Sequence, residues 1–147
     1  MPDSTRRLAH RMVSIALAVT FTGTLASCGG PTPKKAARER DRATSAATSA
    51  RMIATAWDSG AAPGVYASHA VGEMSASLAQ AESAAVWSAL PAGQDASIRR
   101  ELHTLATITA KMDSAISRND RPAIADLHGS LLDHGRALAD MPIDTTR

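Results

Sequence analysis

Three short breaks rich in glycine and proline divide residues 34–141 into four long segments, and this division constrains the fold more than any other feature. The breaks are Ala61-Ala62-Pro63-Gly64, Pro91-Ala92-Gly93 and Asn119-Asp120-Arg121-Pro122. Glycine and proline end helices, and each segment between the breaks is long enough for about six helical turns. The pattern predicts four helices, over residues 34–58, 67–90, from Asp95 as N-cap to 116, and 120–141.

Apolar side chains recur at intervals of three and four residues in each segment, as a helix with one face against a core requires. The third segment has the clearest pattern, and the first is the weakest because most of its stripe is alanine. The four stripes are Ala36, Ala43, Ala46, Ala50, Ile53 and Trp57; Val71, Met74, Leu78, Ala81 and Ala85; Ile98, Leu102, Leu105, Thr109, Met112 and Ile116; and Ile124, Leu127, Leu131, His134, Leu138 and Met141.

Short connections between long helices predict an all-α, up-down-up-down antiparallel four-helix bundle over residues 34–141. A three-helix bundle with a solvated first helix is the alternative, because an alanine face buries little apolar area. We expect residues 142–147 to form a disordered tail.

The N-terminal segment has the organisation of an export signal. Arg6, Arg7 and Arg11 precede an uncharged, mostly apolar run from Met12 to Ala26. The run has about 15 residues, short of the roughly 20 that cross a bilayer, so a cleaved signal over residues 1–27 is predicted rather than a permanent span. From the residues alone, Cys28 is either a modified residue or an incidental one beside the cleavage site.

The sequence Leu25-Ala26-Ser27-Cys28 resembles the lipobox of bacterial lipoproteins, and the resemblance covers residues 1–28 only. It implies that Cys28 is lipidated, palmitate being a typical acyl group, and that the chain is cut before it. Residues 28–33 would then tether the bundle to a membrane. Gly29, rather than aspartate, after the cysteine implies an outer-membrane location facing the periplasm.

Composition excludes several function classes. Of the 16 basic and 14 acidic residues, three and one lie in the signal, which leaves 13 of each and no net charge. A neutral chain with few aromatic side chains lacks the basic, aromatic surface typical of nucleic-acid binding. The motifs of common hydrolases, metalloproteases and phosphate-binding loops are missing from the sequence. We therefore expect no catalysis and no cofactor.

The methionines suggest one metal hypothesis. If the helices alternate in direction, Met52, Met74, Met112 and His128 lie at a similar depth, and thioether and imidazole ligands suit Cu(I). The simpler interpretation is that these methionines fill the core.

His134 occupies a stripe position where leucine is expected. It is either a haem ligand or pH-sensitive group, or a partly buried histidine bonded to an acceptor such as Asp133, Asp140 or a backbone carbonyl.

The start of the first helix suggests a membrane-facing surface. Lys34, Lys35 and Arg38 follow the tether closely, and basic residues are attracted to anionic headgroups. Trp87 is predicted to be exposed at the same end, with Arg99 and Arg100 nearby. The alternative is a solvated, charged helix start without a membrane contact.

The sequence thus predicts a lipid-anchored envelope protein, a non-catalytic interaction or structural module whose partner is a membrane and an unidentified envelope protein. The alternative function is a periplasmic bundle that binds a metal or small ligand.

Overall fold

The computed structural model describes residues 30–146 as four long helices and one short one. They are α1, Pro33–Asp58; α2, Gly64–Glu82; a 3₁₀ helix, Ala85–Ala89; α3, Ala92–Ser117; and α4, Arg121–Ala139. No strand occurs in these residues. The prediction of an all-α protein with four helices is confirmed. The predicted signal and Cys28 lie outside the described residues.

Local capping explains where α1 and α4 begin. The Thr32 hydroxyl accepts a hydrogen bond from the backbone N–H of Lys35 (3.2 Å), and Pro33 occupies the first turn, where proline is tolerated. Asp120 caps α4 in the same way, accepting from the N–H of Ala123 (3.2 Å). Before it, Asn119 has a φ of 57°, in the left-handed region that asparagine tolerates and that often ends a helix.

The helices surround a common core. α1 and α3 each pack against both α2 and α4, and they also contact each other across the centre. α2 and α4 occupy opposite corners, without Cα atoms within 8 Å of each other. This arrangement gives the described domain four outer grooves, one between each pair of neighbouring helices.

Polar contacts connect particular ends of neighbouring helices. Ser68 near the start of α2 meets Ser117 at the end of α3, with 2.8 Å between their hydroxyl oxygens. Arg40 near the start of α1 donates to the carbonyl oxygen of Met141, just beyond α4 (2.7 Å). Arg121, the first residue of α4, donates to the carbonyl oxygen of Asp58 at the end of α1.

The alanine face of α1 is inside the bundle. Its buried residues are Ala36, Ala43, Ala47, Ala50, Ala54 and Trp57. The alternative with a solvated first helix is therefore wrong. Because the side chains of this face are small, α1 can approach its neighbours closely. The buried stripe also uses Ala47 and Ala54 where Ala46 and Ile53 were expected, and those two are only partly buried.

α2 ends eight residues earlier than the sequence predicted. The chain leaves the helix after Glu82, Ala84 adopts extended dihedral angles, and the 3₁₀ helix follows. Arg99 of α3 supports this break by donating to the carbonyl oxygens of Glu82 and Ala84. No glycine or proline lies at this break, so the local sequence contains no signal that ends the helix. The hydrogen bonds from Arg99 provide partners for the backbone carbonyl groups there.

Two other boundaries differ from the predictions. α3 begins at Ala92, so Asp95 lies in its first turn instead of capping it, and pairs with Arg99 one turn later. The chain after α4 was expected to be disordered from residue 142. Instead, Pro142 accepts a hydrogen bond from Gln94, and Ile143 packs against the core.

None of the helices in residues 30–146 combines the length and the apolar character needed to span a bilayer.

Candidate functional site

The four residues proposed for copper do not share an environment. Met112 is completely buried in α3, whereas 63% of Met52 is exposed on α1. Met74 and His128 are half-buried. Side chains that differ this much in exposure do not line one buried coordination site, so the structure does not bring the set together.

His128 carries further information about its surroundings. Its Nε2 atom is buried and has no hydrogen-bond partner within residues 30–146. Burial lowers the pKa of His128 below its ordinary value of 6.5, the charge of Arg51 lowers it further, and Asp58 opposes the shift. The neutral ring is therefore favoured, and the nearby guanidinium makes this position unfavourable for a metal cation.

His134 bridges α3 and α4. A hydrogen bond of 2.7 Å links its Nδ1 to Oε2 of Glu101, and both side chains are partly buried. The interpretation as a partly buried histidine with an acceptor is confirmed, but the acceptor is Glu101 rather than Asp133, Asp140 or a backbone carbonyl. Sequence spacing could not identify Glu101, because it lies on another helix. In the part of the chain that the structure describes, no three His, Cys, Asp or Glu side chains converge on a metal position.

The residues expected to face a membrane differ in exposure. Lys34, Arg38 and Arg100 are exposed, while Lys35 is half-buried, with its Nζ 3.3 Å from the carbonyl oxygen of Gly30. Arg99 does not face outward freely, because its guanidinium bonds to Asp95 and to the end of α2.

The expectation for Trp87 is wrong. Its ring is completely buried, and its Nε1 donates to the carbonyl oxygen of Ala81 (2.6 Å). The reason is the early end of α2. Helical periodicity would place Trp87 opposite the apolar stripe, but the turn at residues 83–84 redirects it into the core. A buried indole cannot rest at a membrane interface.

A small cluster of polar side chains joins α2 to α3. Ser68 donates to a carboxylate oxygen of Asp113 and contacts Ser117. His69, the next residue, is exposed. A nucleophilic serine needs a base that is itself oriented by a third group. The hydrogen bond between Ser68 and Asp113 is explained instead by its structural role, because it connects α2 to α3.

The groove between α1 and α4 contains a small cleft, which we call the α1/α4 cleft. Its volume is about 120 Å³. It is lined by Thr44, Ala47, Thr48 and Arg51 of α1 and by Leu131, Leu132, Gly135, Arg136 and Ala139 of α4. The cleft exists because several of its lining residues are small. At Gly135, an added Cβ would meet no atom within 4 Å.

The α1/α4 cleft has an apolar floor and a cationic rim. Leu131 and Ala47 are buried at its base, and Arg51 and Arg136 are its only charged lining residues. Within residues 30–146, neither guanidinium group makes a hydrogen bond or an ion pair. Sequence analysis missed this site. The one available signal was Gly135 inside α4, since glycine costs a helix interior about 1 kcal/mol relative to alanine and therefore suggests a packing or functional reason.

Comparison with known proteins assigns no family. No protein-family model matches the sequence, and neither curated proteins nor solved structures give a significant match.

Proposed function

We propose that this chain is a lipid-anchored, non-catalytic helical module of the bacterial cell envelope, held by an acylated Cys28 at the periplasmic face of the outer membrane. The observation that carries the proposal is the Leu25-Ala26-Ser27-Cys28 box, placed directly after an apolar run and a basic N-terminus. α1 begins at Pro33, so only residues 29–32 separate the proposed anchor from the first helix. Two or three acyl chains make attachment persistent, because each buried methylene contributes about 0.8 kcal/mol.

We further propose the up-down-up-down order for the helices. Three contacts between α2 and α3 support this order. The hydroxyl of Ser68 contacts that of Ser117, and Ser75 donates a hydrogen bond to the carbonyl oxygen of Ala106. Arg99 donates a hydrogen bond to the carbonyl oxygen of Glu82. Residue numbers rise on one helix as they fall on the other, as in antiparallel neighbours. The contacts of Arg40 and Arg121 with opposite ends support the same relation for α1 and α4.

In this arrangement, the start of α1 faces the membrane. Lys34, Lys35 and Arg38 are close in sequence to Cys28, and basic residues near an anionic surface contribute about 1 kcal/mol each. Trp87 has no part in this contact because it is buried. The opposite end and the grooves of the bundle remain available to a protein partner.

The soluble fragment 30–147 suits most tests. Every buried apolar side chain of the described core lies between Ala36 and Leu138, so the fragment keeps that core and both capping residues. We therefore expect it to fold without the anchor.

The anchor is tested on the full chain in bacteria. Intact mass spectrometry of membrane-extracted protein should show cleavage before Cys28 and added acyl groups, and labelled palmitate should be incorporated. The Cys28→Ser variant should lose the label and leave the membrane fraction. An unmodified Cys28, or an intact Met1 on cytosolic protein, contradicts the proposal.

Helix order is tested by disulfide trapping, since the fragment 30–147 has no cysteine of its own. The pair Ser68→Cys and Ser117→Cys should oxidise readily. The matched pair Ser68→Cys and Ser97→Cys should not, because Ser97 lies near the other end of α3. The reverse result would indicate parallel helices.

The membrane contact is tested with liposomes of anionic and neutral lipids. Replacing Lys34, Lys35 and Arg38 by glutamine should weaken binding of the fragment to anionic vesicles only. Unchanged affinity would remove this surface from the proposal and leave Cys28 as the sole membrane attachment.

A further inference from the structure

We propose that the α1/α4 cleft is the docking site for an acidic amphipathic helix of an envelope protein. The inference rests on the proposed function as an interaction module and names the chemistry of its partner. An apolar side chain of that helix would enter the cleft, and carboxylates on either side of it would meet Arg51 and Arg136.

The size of the cleft favours a protein partner over a free small ligand. Pockets for small molecules usually occupy about 300–1,000 Å³, whereas this cleft has about 120 Å³. A cavity of about 150 Å³ accommodates benzene, so one side chain of leucine size is the natural occupant. Single apolar anchors in small pockets are typical of protein interfaces.

The positive charge at the rim of the cleft favours an acidic partner. Two guanidinium groups border an apolar floor, and no acidic side chain lines the cleft. Both groups lack an ion pair within residues 30–146, so their charges are available to an external carboxylate. The charge of Arg51 contributes to the lowered pKa of the neighbouring His128. A basic or neutral helix would leave these charges uncompensated.

The spacing of the arginines defines the partner further. Arg40 contacts Met141 and Arg121 contacts Asp58, and counting inward from these contacts places Arg136 level with Thr44. Arg51 lies seven residues farther along α1, or about 10 Å at the helical rise of 1.5 Å per residue. Two acidic residues seven positions apart on a partner helix span the same distance. Leucines three and four positions after the first acid would face the cleft between them.

A second copy of this chain does not fit that description. Within residues 30–146, the acidic pairs seven positions apart are Asp113 with Asp120, Asp126 with Asp133, and Asp133 with Asp140. Ile116 inside the first pair is buried, and the central positions of the other two hold Gly129, Ser130, Arg136 and Ala137. None presents an exposed leucine-like side chain, so the occupant is a different protein.

The test uses the fragment 30–147 and a fluorescently labelled, alanine-rich helical peptide with two glutamates seven positions apart and leucines three and four positions after the first. A control peptide carries lysine in place of both glutamates. Fluorescence anisotropy should show saturable binding of the acidic peptide, weakened by added salt, and no binding of the basic one.

Matched variants locate the site. Arg51→Gln with Arg136→Gln should weaken binding about tenfold or more, whereas Arg42→Gln with Arg118→Gln, which removes equal charge from exposed residues elsewhere, should not. Gly135→Leu should block the cleft. Gly129→Leu is its control, because an added Cβ meets open space at both glycines of α4 but only Gly135 lines the cleft.

Three results of the peptide test overturn the inference. They are absence of binding by the acidic peptide, equal binding of both peptides, and equal loss in the cleft and control arginine variants. Octanoate binding at Leu131 and Gly135 by NMR, without competition from the peptide, would assign the cleft to a small anionic amphiphile instead. Because lipidation of Cys28 is measured separately in cells, failure of this inference is distinguishable from failure of the proposed function.

Discussion

The indole Nε1 of Trp87 donates a hydrogen bond of 2.6 Å to the carbonyl oxygen of Ala81, and the whole ring is buried. This hydrogen bond connects the 3₁₀ helix to the end of α2, the helix that precedes it. The same carbonyl oxygen also accepts a hydrogen bond from the backbone N–H of Ala84 (3.1 Å), so the indole adds a second donor at the C-terminal end of α2. Trp87 is therefore part of the core and stabilises the connection between α2 and α3.

Truncating Trp87 should cost a large part of the stability of the bundle. Trp87→Ala leaves a cavity, and we expect the free energy of unfolding to fall by about 3–5 kcal/mol. Tyr66→Ala is the matched control, because that ring is 63% exposed and should contribute less than about 0.5 kcal/mol. Urea denaturation followed by circular dichroism checks both. Equal, small effects would contradict the buried position of Trp87.

Two methionines of the copper hypothesis should behave differently. Met112→Ala should reduce the free energy of unfolding by about 2–5 kcal/mol, because Met112 is completely buried. Met52→Ala should change it by less than about 0.5 kcal/mol, since Met52 is largely exposed. Titration with Cu(I) should leave the melting temperature unchanged. A stoichiometric shift abolished by either variant would restore the metal hypothesis.

His128 should make stability depend on pH. In the unfolded chain the ring binds a proton near pH 6.5, whereas in the fold its pKa is lowered by burial and by Arg51. The unfolded state thus binds more protons below about pH 6.5, and this contribution to stability, complete above that pH, is lost as the pH falls toward the folded pKa.

The comparison of His128→Gln with the wild type checks this pH effect. The decrease in melting temperature between about pH 7.5 and about pH 5.5 should be smaller in the variant. Arg51→Gln should raise the pKa of His128 in an NMR titration, because it removes a repulsive charge. A titration curve unaffected by Arg51 would show that the two groups do not interact.

Glycine substitutions should have opposite signs at different positions. Gly129 and Gly135 lie within α4, and a Cβ added at either would meet open space, so alanine at each should add roughly 0.5–1 kcal/mol. Gly60 has a φ of 78°, which alanine tolerates poorly, so Gly60→Ala should destabilise by about 1 kcal/mol. Thermal unfolding of the three variants measures the difference. Stabilisation by Gly60→Ala would contradict the left-handed turn after α1.

Much of the architecture could be predicted because its signals are local. Proline and glycine at residues 63–64, 91–93 and 122 mark connections whatever the rest of the chain does, and the spacing of Ile98, Leu102 and Leu105 identifies a buried helix face. The end of α2 could not be predicted in this way. It depends on Arg99, which approaches from α3 and bonds to carbonyl oxygens of Glu82 and Ala84.

For the candidate sites, too, local properties could be predicted from the sequence and contacts between helices could not. Residue type alone suggested that His134 needs an acceptor, but the choice of Glu101 depended on how α3 and α4 align. The copper hypothesis assumed equal depth for four side chains, and their different exposure became visible only once the helices were packed. The α1/α4 cleft was missed because it is formed by the absence of bulk on two helices, and no single stretch of sequence displays that property.

The sequence by itself determined the four helices, their connections, the neutral charge of residues 28–147 and the expectation of an anchor at Cys28, since each depends on neighbouring residues and periodicity. Tertiary structure alone decided that Trp87 is buried, that α1 belongs to the core, and that Arg51 and Arg136 border one cleft. The physical reason is that burial, ion pairing and cavity shape arise between segments distant in sequence. They are fixed only when packing sets the rotation and relative height of each helix.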